Sequence, residues 1–282
     1  MKIRILGPLH AETDGVPVVP TAAKERQILA LLALHPGQLV PVGALREEVW
    51  GPVPPRSAHT TLQTYVLRLR RGLAAALGAA PGGPAGPAAR AAARELLATG
   101  HDGYLLRVAE EDVDALAFER AARTGHAAFA DGDSEAAARL LREALALWRG
   151  PALVDVRAGK ALRALAARLE ESRLLATERR IDAELRLGLH GELLAELTEL
   201  TRTHPGHERL HAQAMVAFYR SGRQVEALEL YRGLRRRLVE KLGLEPAPQL
   251  QRLHQAMLAV DPRLDTLAQS GPPTPTFDLY AA

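Results

Sequence analysis

Three histidines in the second half of the chain have a spacing that could serve a metal ion. His204, His207 and His211 form an H-x2-H-x3-H pattern, and the last two would share one face of a helix. Glu208 follows His207, so residues 207–211 have the letters H-E-x-x-H, but His204 precedes Pro205, which is typical of a turn. A structural or surface role is the better interpretation, so we expect neither a metal nor a cofactor.

Residues that could act as catalytic nucleophiles are scarce. The chain contains no cysteine, which excludes disulfides, thiol nucleophiles and cysteine zinc sites. The nearest approach to a serine nucleophile elbow surrounds Ser134, but a helical pattern rather than a strand precedes it. The Gly-rich stretch at 78–87 lacks the Gly-Lys-Ser/Thr ending of a phosphate-binding loop. We therefore expect a protein without enzymatic activity.

A basic helix carries the clearest chemistry. Residues 56–71 contain four arginines and no acidic residue, and the apolar spacing predicts a helix over 58–77. The expected buried stripe of this helix is Leu62, Val66, Leu69 and Leu73. The opposite face carries threonine and arginine, which suit base and phosphate contacts in a DNA groove. The residues expected to contact DNA here are Arg56, Thr60, Thr61, Gln63, Thr64, Arg68, Arg70 and Arg71.

Charge is unevenly distributed along the chain. Residues 1–108 contain 12 Lys and Arg against 7 Asp and Glu, whereas the remainder contains 24 against 26. The net charge is therefore +5 in the first part and −2 in the second. A basic patch confined to one small region is the electrostatic footprint of an anionic partner such as nucleic acid.

The elements before the basic helix have the order of a winged helix-turn-helix. Strands are indicated at residues 2–5 and 16–19, with a hairpin turn at Asp14-Gly15 between them. An apolar helix and a second short helix follow. A proline-rich loop at 51–55 then leads into the basic helix, which is the third helix and so the position of a recognition helix.

The segment after the basic helix should supply the wing. Residues 78–93 contain only Ala, Gly, Pro and Arg, which suggests a flexible insertion. A hairpin with strands at 95–99 and 104–108 then forms the wing, and Arg107 is placed to reach the DNA backbone. The sequence therefore predicts a DNA-binding domain over 1–108.

Residues 112–260 show long helical patterns with an internal repeat. The pairs Gly188/Glu192 and Gly222/Glu226 are 34 residues apart, which is the tetratricopeptide period, and Gly132 begins a third copy. The fold class expected is mainly α, with an N-terminal α+β winged helix-turn-helix followed by an all-α tetratricopeptide-like domain. Residues 261–282, rich in proline near their middle, suggest a disordered tail.

Several ordered motifs resemble the Streptomyces antibiotic regulatory protein family. In the first domain they are Gly7-Pro8-Leu9, Lys24-Glu25-Arg26-Gln27-Ile28, Glu48-Val49-Trp50-Gly51, Pro54-Pro55-Arg56-Ser57 and Leu62-Gln63-Thr64-Tyr65-Val66. Later motifs resemble the family's bacterial transcriptional activator domain; they are Ala146-Leu147-Trp148-Arg149-Gly150-Pro151, Leu169-Glu170-Glu171-Ser172-Arg173 and Leu242-Gly243-Leu244-Glu245-Pro246. The likeness extends over about residues 1–260. One departure is the wing turn, which has His101-Asp102 in place of a Pro-Gly-Tyr sequence.

The resemblance implies a cytoplasmic, nucleoid-associated activator of antibiotic gene clusters. Its implied partners are double-stranded promoter DNA with direct repeats, RNA polymerase holoenzyme and a second protomer on the DNA, with no membrane. It also implies that the loop between the second and third helices faces RNA polymerase; in this chain the loop is Gly51, Pro52, Val53, Pro54 and Pro55. The alternative is a tetratricopeptide-type scaffold or ligand-sensing regulator whose winged domain contacts protein.

Overall fold

The computed structural model describes residues 1–78 and 85–266. Contacts divide the chain into two compact units, which we call unit 1 (Met1–Arg120 with Ala144–Arg173) and unit 2 (Ala121–Glu143 with the residues from Leu174 onward). The architecture is mainly helical, and both three-stranded sheets belong to unit 1. This confirms the predicted fold class.

Unit 1 begins with an antiparallel sheet in the order β1 (Lys2–Arg4), β2 (His10–Thr13) and β3 (Val16–Pro17). The predicted turn at Asp14-Gly15 lies between β2 and β3, with positive φ at both residues. The last strand is shorter than the predicted 16–19. One further backbone contact follows it, since the Val18 N–H donates to the carbonyl of Ala11 (2.9 Å).

Three helices follow the first sheet, namely α1 (Ala23–Ala33), α2 (Val42–Trp50) and α3 (Ala58–Leu77). The bounds of α3 are those that the sequence predicts. A strand that the sequence did not indicate, β4 (Leu39–Pro41), lies between α1 and α2.

The next element is α4 (Pro87–Leu96), and it corrects the expectation of a flexible insertion at 78–93. Proline is at the start of this helix, where its missing N–H has no cost, and alanine and arginine are strong helix formers. The helix packs against α3 with Ala93 fully buried. Residues 79–84 of the expected insertion lie outside the described residues.

The wing is a hairpin of β5 (Leu97–Gly100) and β6 (Gly103–Leu106), as predicted. It is completed by β4, so the order of this sheet is β4-β6-β5. A Cβ atom at Gly103 would lie 2.3 Å from the carbonyl oxygen of Val40, so only glycine lets these strands pair.

Unit 1 also contains residues beyond the predicted boundary at 108. The Asp114 carboxylate accepts hydrogen bonds from the backbone N–H groups of Ile5 (2.7 Å) and Leu6 (3.1 Å). The Arg149 N–H donates to the carbonyl of Leu6 (2.8 Å), and the Leu153 N–H donates to that of Ile5 (2.9 Å). The segment that directly follows β1 is therefore held by residues that the sequence assigned to the second domain.

Eight helices complete the described chain. They are α5 (Asp114–Ala130), α6 (Ser134–Leu145), α7 (Lys160–Arg186), α8 (His190–Thr203), α9 (Glu208–Arg220), α10 (Gln224–Leu242), α11 (Pro248–Leu258) and α12 (Arg263–Thr266). The repeat glycines Gly132, Gly188 and Gly222 have φ values of 85°, 80° and 74° and lie in the turns α5–α6, α7–α8 and α9–α10. Their shared left-handed conformation explains why glycine recurs at these turns.

The end of the described chain is more ordered than expected. The side chain of Leu264 is fully buried, and its carbonyl accepts a hydrogen bond from the Nε of Arg220 (2.9 Å). The expectation of disorder is therefore wrong for residues 261–264, and residues 267–282 lie outside the described residues. None of the helices within the described ranges is long and apolar enough to cross a membrane.

Candidate nucleic-acid interface

Helix α3 presents two contrasting sides. Its predicted stripe of Leu62, Val66, Leu69 and Leu73 is buried, with at most 5% exposure at any of the four. Three residues spaced along the opposite side, Thr60, Thr64 and Arg71, are exposed. We call Thr60, Thr64, Leu67 and Arg71 the recognition face.

The polar groups of the recognition face remain open to a ligand. The Thr64 hydroxyl donates to the carbonyl of Thr60 (3.1 Å), which leaves its oxygen lone pairs facing solvent. Beside the face, Gln63 is exposed and bonds His59 (3.2 Å), and Thr61 is half-buried. The side chain of Arg71 has no hydrogen bond or ion pair to any residue in 1–78 or 85–266.

Arg68 is only partly committed within the protein. Its guanidinium donates to the carboxylate of Glu25 on α1 at 3.1 Å. The Glu25 side chain is nearly buried, whereas more than half of the Arg68 side chain is exposed. The pair therefore holds one guanidinium nitrogen of Arg68 and leaves the rest of the group accessible.

Arg70 links α3 to the wing, which sequence reasoning did not foresee. Its Nε donates to the carbonyl of Leu97 (2.8 Å) and its Nη2 to the hydroxyl of Thr99 (2.7 Å), both on β5. Its guanidinium also lies 6.0 Å from the ring of Tyr104 on β6. Burial, and then repulsion from Arg94, lower the pKa of Arg70. The residue thus orients the wing relative to the recognition face.

The remaining predicted DNA contacts lie on the exposed surface. Arg56 is exposed just before α3, and Arg107 is exposed just after β6. The backbone N–H of Arg107 donates to the carbonyl of Leu96 (2.8 Å), so the position of its backbone is fixed. His101 and Asp102 are exposed at the wing turn, and the Asp102 carbonyl accepts from the Val42 N–H (2.9 Å).

The loop between α2 and α3 displays an apolar side chain to solvent. Val53 is 85% exposed, at the middle of the Gly51–Pro55 segment. Trp50, just before the loop, stacks on Tyr65 of α3 with a centroid separation of 6.1 Å. The Nζ of Lys24 lies 4.9 Å from the centre of the Trp50 ring. The loop is therefore anchored at its start while its tip projects outward.

The three histidines considered for metal binding have other partners. The Nε2 of His207 lies 3.1 Å from the carboxylate of Glu178. The Nδ1 of His211 donates to the carbonyl of His207 (3.0 Å), and the rings of His204 and His207 meet edge to face. Across the residues that the structure describes, no group of three or more His, Cys, Asp or Glu side chains has the geometry of a metal site.

Known proteins share both parts of this architecture. Residues 113–258 match the model of the bacterial transcriptional activator domain, and residues 17–81 match that of the C-terminal domain of transcriptional regulatory proteins. The regulatory protein DnrI of Streptomyces peucetius is 49% identical over 275 residues, covering 98% of this chain and 97% of DnrI. The chain belongs to the Streptomyces antibiotic regulatory protein family.

Other members and a solved structure agree with this assignment. The transcriptional regulator RedD of Streptomyces coelicolor is 37% identical over 264 residues, covering 94% of this chain and 72% of RedD. The structure of Mycobacterium tuberculosis EmbR in complex with a low-affinity phosphopeptide superimposes with a TM-score of 0.81 at 34% identity. That match covers 95% of this chain and 68% of the EmbR chain. As a member of the Streptomyces antibiotic regulatory protein family, the chain is a DNA-binding transcriptional regulator.

Proposed function

We propose that this regulator activates an antibiotic or other secondary-metabolite biosynthetic gene cluster. In this proposal it binds tandem direct repeats in promoters as two protomers and recruits RNA polymerase holoenzyme. Residues 1–108 carry the DNA-contacting surface and residues 112–260 act as the activator domain. The protein works at the nucleoid in the cytoplasm.

The observation that carries the DNA-binding part is the recognition face of α3. The face is exposed and free of acidic side chains, and it combines threonine hydroxyls with an arginine that forms no ion pair with any described residue. Thr60, Thr64 and the partly free Arg68 are suited to base edges, and Arg71 to phosphate. Arg56, Thr61, Gln63 and Arg107 extend this surface, while Arg70 orients the wing beside it.

The proposed contact with RNA polymerase rests on the loop between α2 and α3. An apolar side chain as exposed as Val53 gains free energy when a partner covers it. The prolines on both sides restrict the loop, so less conformational entropy is lost on binding. A contact of this kind needs the polymerase to lie next to the bound DNA, as at a promoter.

The arrangement on DNA can be tested by changing the spacing between repeats. Direct repeats require head-to-tail protomers, and protomers on one face of the duplex are separated by about 10–10.5 bp or a multiple of it. After the repeats are located by footprinting, inserting about half a turn (roughly 5 bp) between them should abolish cooperative binding in a gel-shift titration. The same insertion should abolish activation in a reporter assay.

Two controls make this test decisive. Binding to a single isolated repeat should keep its affinity, since that contact needs no second protomer. Inserting a full turn, about 10 bp, should return the protomers to one face. Unchanged cooperativity and activation after the half-turn insertion would contradict the tandem arrangement.

A further inference from the structure

A cleft between α3 and α4 is bordered by four arginines. It has a volume of about 640 Å³, and its charged lining consists of Arg70, Arg71, Arg90 and Arg94. Most of the remaining lining is alanine, whose short side chain leaves the space open. We call this the basic cleft.

The residues that line the basic cleft include no acidic side chain. No Asp or Glu occurs in the sequence from residue 49 to residue 94. Arg71, Arg90 and Arg94 are exposed, and none of them forms an ion pair with any residue that the structure describes. Burial is the larger cause that lowers the pKa of Arg70, and the positive charge of Arg94 lowers it further. Arginines that repel one another around an open space favour the binding of an anion.

Helix α4 holds two of these arginines in a fixed position. Arg90 and Arg94 are four residues apart and therefore lie on the same side of the helix. A Cβ atom at Gly78 would lie 3.5 Å from the Cβ of Ala89, which shows how closely α3 and α4 approach. The guanidinium groups are thus carried by a packed helix rather than by a flexible segment.

The basic cleft is continuous with the recognition face, because Leu67 and Arg71 belong to both. Thr60 and Arg71 are eleven residues apart, or about 16 Å along the helix axis. The major groove is about 12 Å wide. If the N-terminal half of α3 contacts bases in the groove, Arg71 therefore lies at the sugar-phosphate backbone on the edge of the groove.

We propose that the basic cleft binds the phosphate backbone of DNA at the edge of the major groove, with Arg71, Arg90 and Arg94 as its ligands. The inference rests on the proposed DNA-binding function and adds α4 to the DNA-contacting surface. Arg70 contributes charge while its donors hold the wing. The occupant is a backbone phosphate, so the contact is independent of base sequence.

The test compares Arg90→Ala/Arg94→Ala with the intact full-length chain on two duplexes. One duplex carries the footprinted operator, and the other has the same length and an unrelated sequence. The double variant should bind both duplexes more weakly by a similar factor. Loss of two phosphate contacts reduces the slope of log K against log salt concentration by about 1.8. A four-fold rise in salt should then cost the intact chain about 12-fold more affinity than the variant.

The matched control is Arg232→Ala/Arg236→Ala. These arginines have the same spacing on an exposed side of α10 in unit 2, so they control for the total charge removed. The control should retain the slope of the intact chain. Thermal unfolding should show that both variants are folded. If the test pair destabilises α4, Arg90→Gln/Arg94→Gln removes the charge while keeping strong helix formers.

A second arm locates the contact. Methylphosphonate linkages that neutralise single phosphates beside the recognition face should weaken binding of the intact chain. The same linkages should cost the double variant much less, because the interaction is already lost.

Three results of the DNA-binding measurements would overturn the proposal. They are an unchanged slope in the double variant, an equal change in the Arg232/Arg236 control, and methylphosphonate penalties equal for both proteins. Stabilisation of the intact chain by inorganic phosphate, with no effect of the variant on DNA binding, would also overturn it by assigning the cleft to a free anion. If the intact chain bound neither duplex, the proposed function itself would fail, which is a distinct outcome.

Discussion

The arginines of the basic cleft and several arginines of the unit 2 helices have different surroundings. Arg71, Arg90 and Arg94 are exposed and have no acidic partner within the described ranges. In unit 2, several arginines are paired with carboxylates, as in Arg180–Glu184, Arg202–Glu199, Arg223–Glu226 and Arg235–Glu245. Paired charges cancel at a distance, whereas unpaired charges of one sign add to a field. The same residue type therefore supports the fold in one region and supplies an electrostatic surface in the other.

The largest expected effect concerns the buried pair of unit 2. The guanidinium of Arg180 donates to Glu184 (2.7 Å) and Glu196 (2.5 Å), and the Glu184 side chain is only 3% exposed. Removing one partner of a buried pair typically costs roughly 3–5 kcal/mol. Because Arg142 also donates to Glu184 (2.6 Å), we expect Arg180→Ala to lower the free energy of unfolding by about 2–3 kcal/mol. Urea unfolding measures this change.

The exposed pair Arg139–Glu143 provides the matched control in the same unit. Both of its side chains are largely exposed, so Arg139→Ala should cost no more than about 0.5 kcal/mol. Neither variant should alter the salt dependence of DNA binding. Equal losses of the free energy of unfolding in the two variants would show that burial does not make the Arg180 pair more stabilising than the Arg139–Glu143 pair.

Arg70 and Arg71 are adjacent in α3 and should differ in the same way, because Arg70 is bonded within the protein whereas Arg71 is exposed. Arg70→Ala removes two hydrogen bonds to the wing, so the free energy of unfolding should fall by about 1–2 kcal/mol and the amides of β5 should exchange faster. Arg71→Ala should change stability by less than about 0.5 kcal/mol. It should instead weaken binding to all duplexes and reduce the slope of log K against log salt concentration by about 1.

The measurements are urea unfolding, hydrogen exchange and DNA titration at several salt concentrations. A large loss of stability in Arg71→Ala, with none in Arg70→Ala, would contradict the roles given to these neighbours.

Local patterns in the sequence were sufficient for the helical framework. The stripe from Leu62 to Leu73 follows the helical period, so its burial could be predicted without any partner. The repeat turns were predictable for a similar reason, because glycine at Gly188 and Gly222 satisfies a local need for positive φ. The composition of residues 78–93 was misleading, because proline and alanine suit a helix start and interior as well as a linker.

Contacts between distant segments could not be predicted from local patterns. Glu48 is a charged residue in a short helix, yet its side chain is buried. Its carboxylate accepts from the N–H groups of Ala161 (2.9 Å) and Leu162 (3.2 Å) and so caps the start of α7. The link from Arg70 to β5 is of the same kind, since it depends on where the wing returns. Spacing along the chain contains no signal for either contact.

The smallest expected effect is a pH dependence of stability caused by His211 in unit 2. Burial disfavours the positively charged form of this side chain. His211 is buried in α9, with its Nδ1 donating to the carbonyl of His207. Burial is the main cause that lowers the pKa of His211, and the charges of Arg237 and His207 lower it further, while the hydrogen bond to His207 opposes them. The unfolded chain therefore binds this proton at a higher pH than the folded chain. The contribution of the neutral His211 side chain to the free energy of unfolding should be fully present above the ordinary histidine pKa. It should decrease as the pH falls below that pKa towards the lower pKa of the folded chain.

Replacing His211 with glutamine removes the titrating group and keeps a side-chain donor. We expect the midpoint of thermal unfolding of the intact chain to decrease between about pH 7.5 and 5.5, and to decrease less steeply in His211→Gln. A residual slope should remain, because burial also lowers the pKa of His126 and of His254 in unit 2. His101→Gln, at the exposed wing turn, controls for the loss of an imidazole that is not buried. Identical slopes for the intact chain and His211→Gln would contradict the argument, because the buried imidazole would then titrate alike in the folded and unfolded chains.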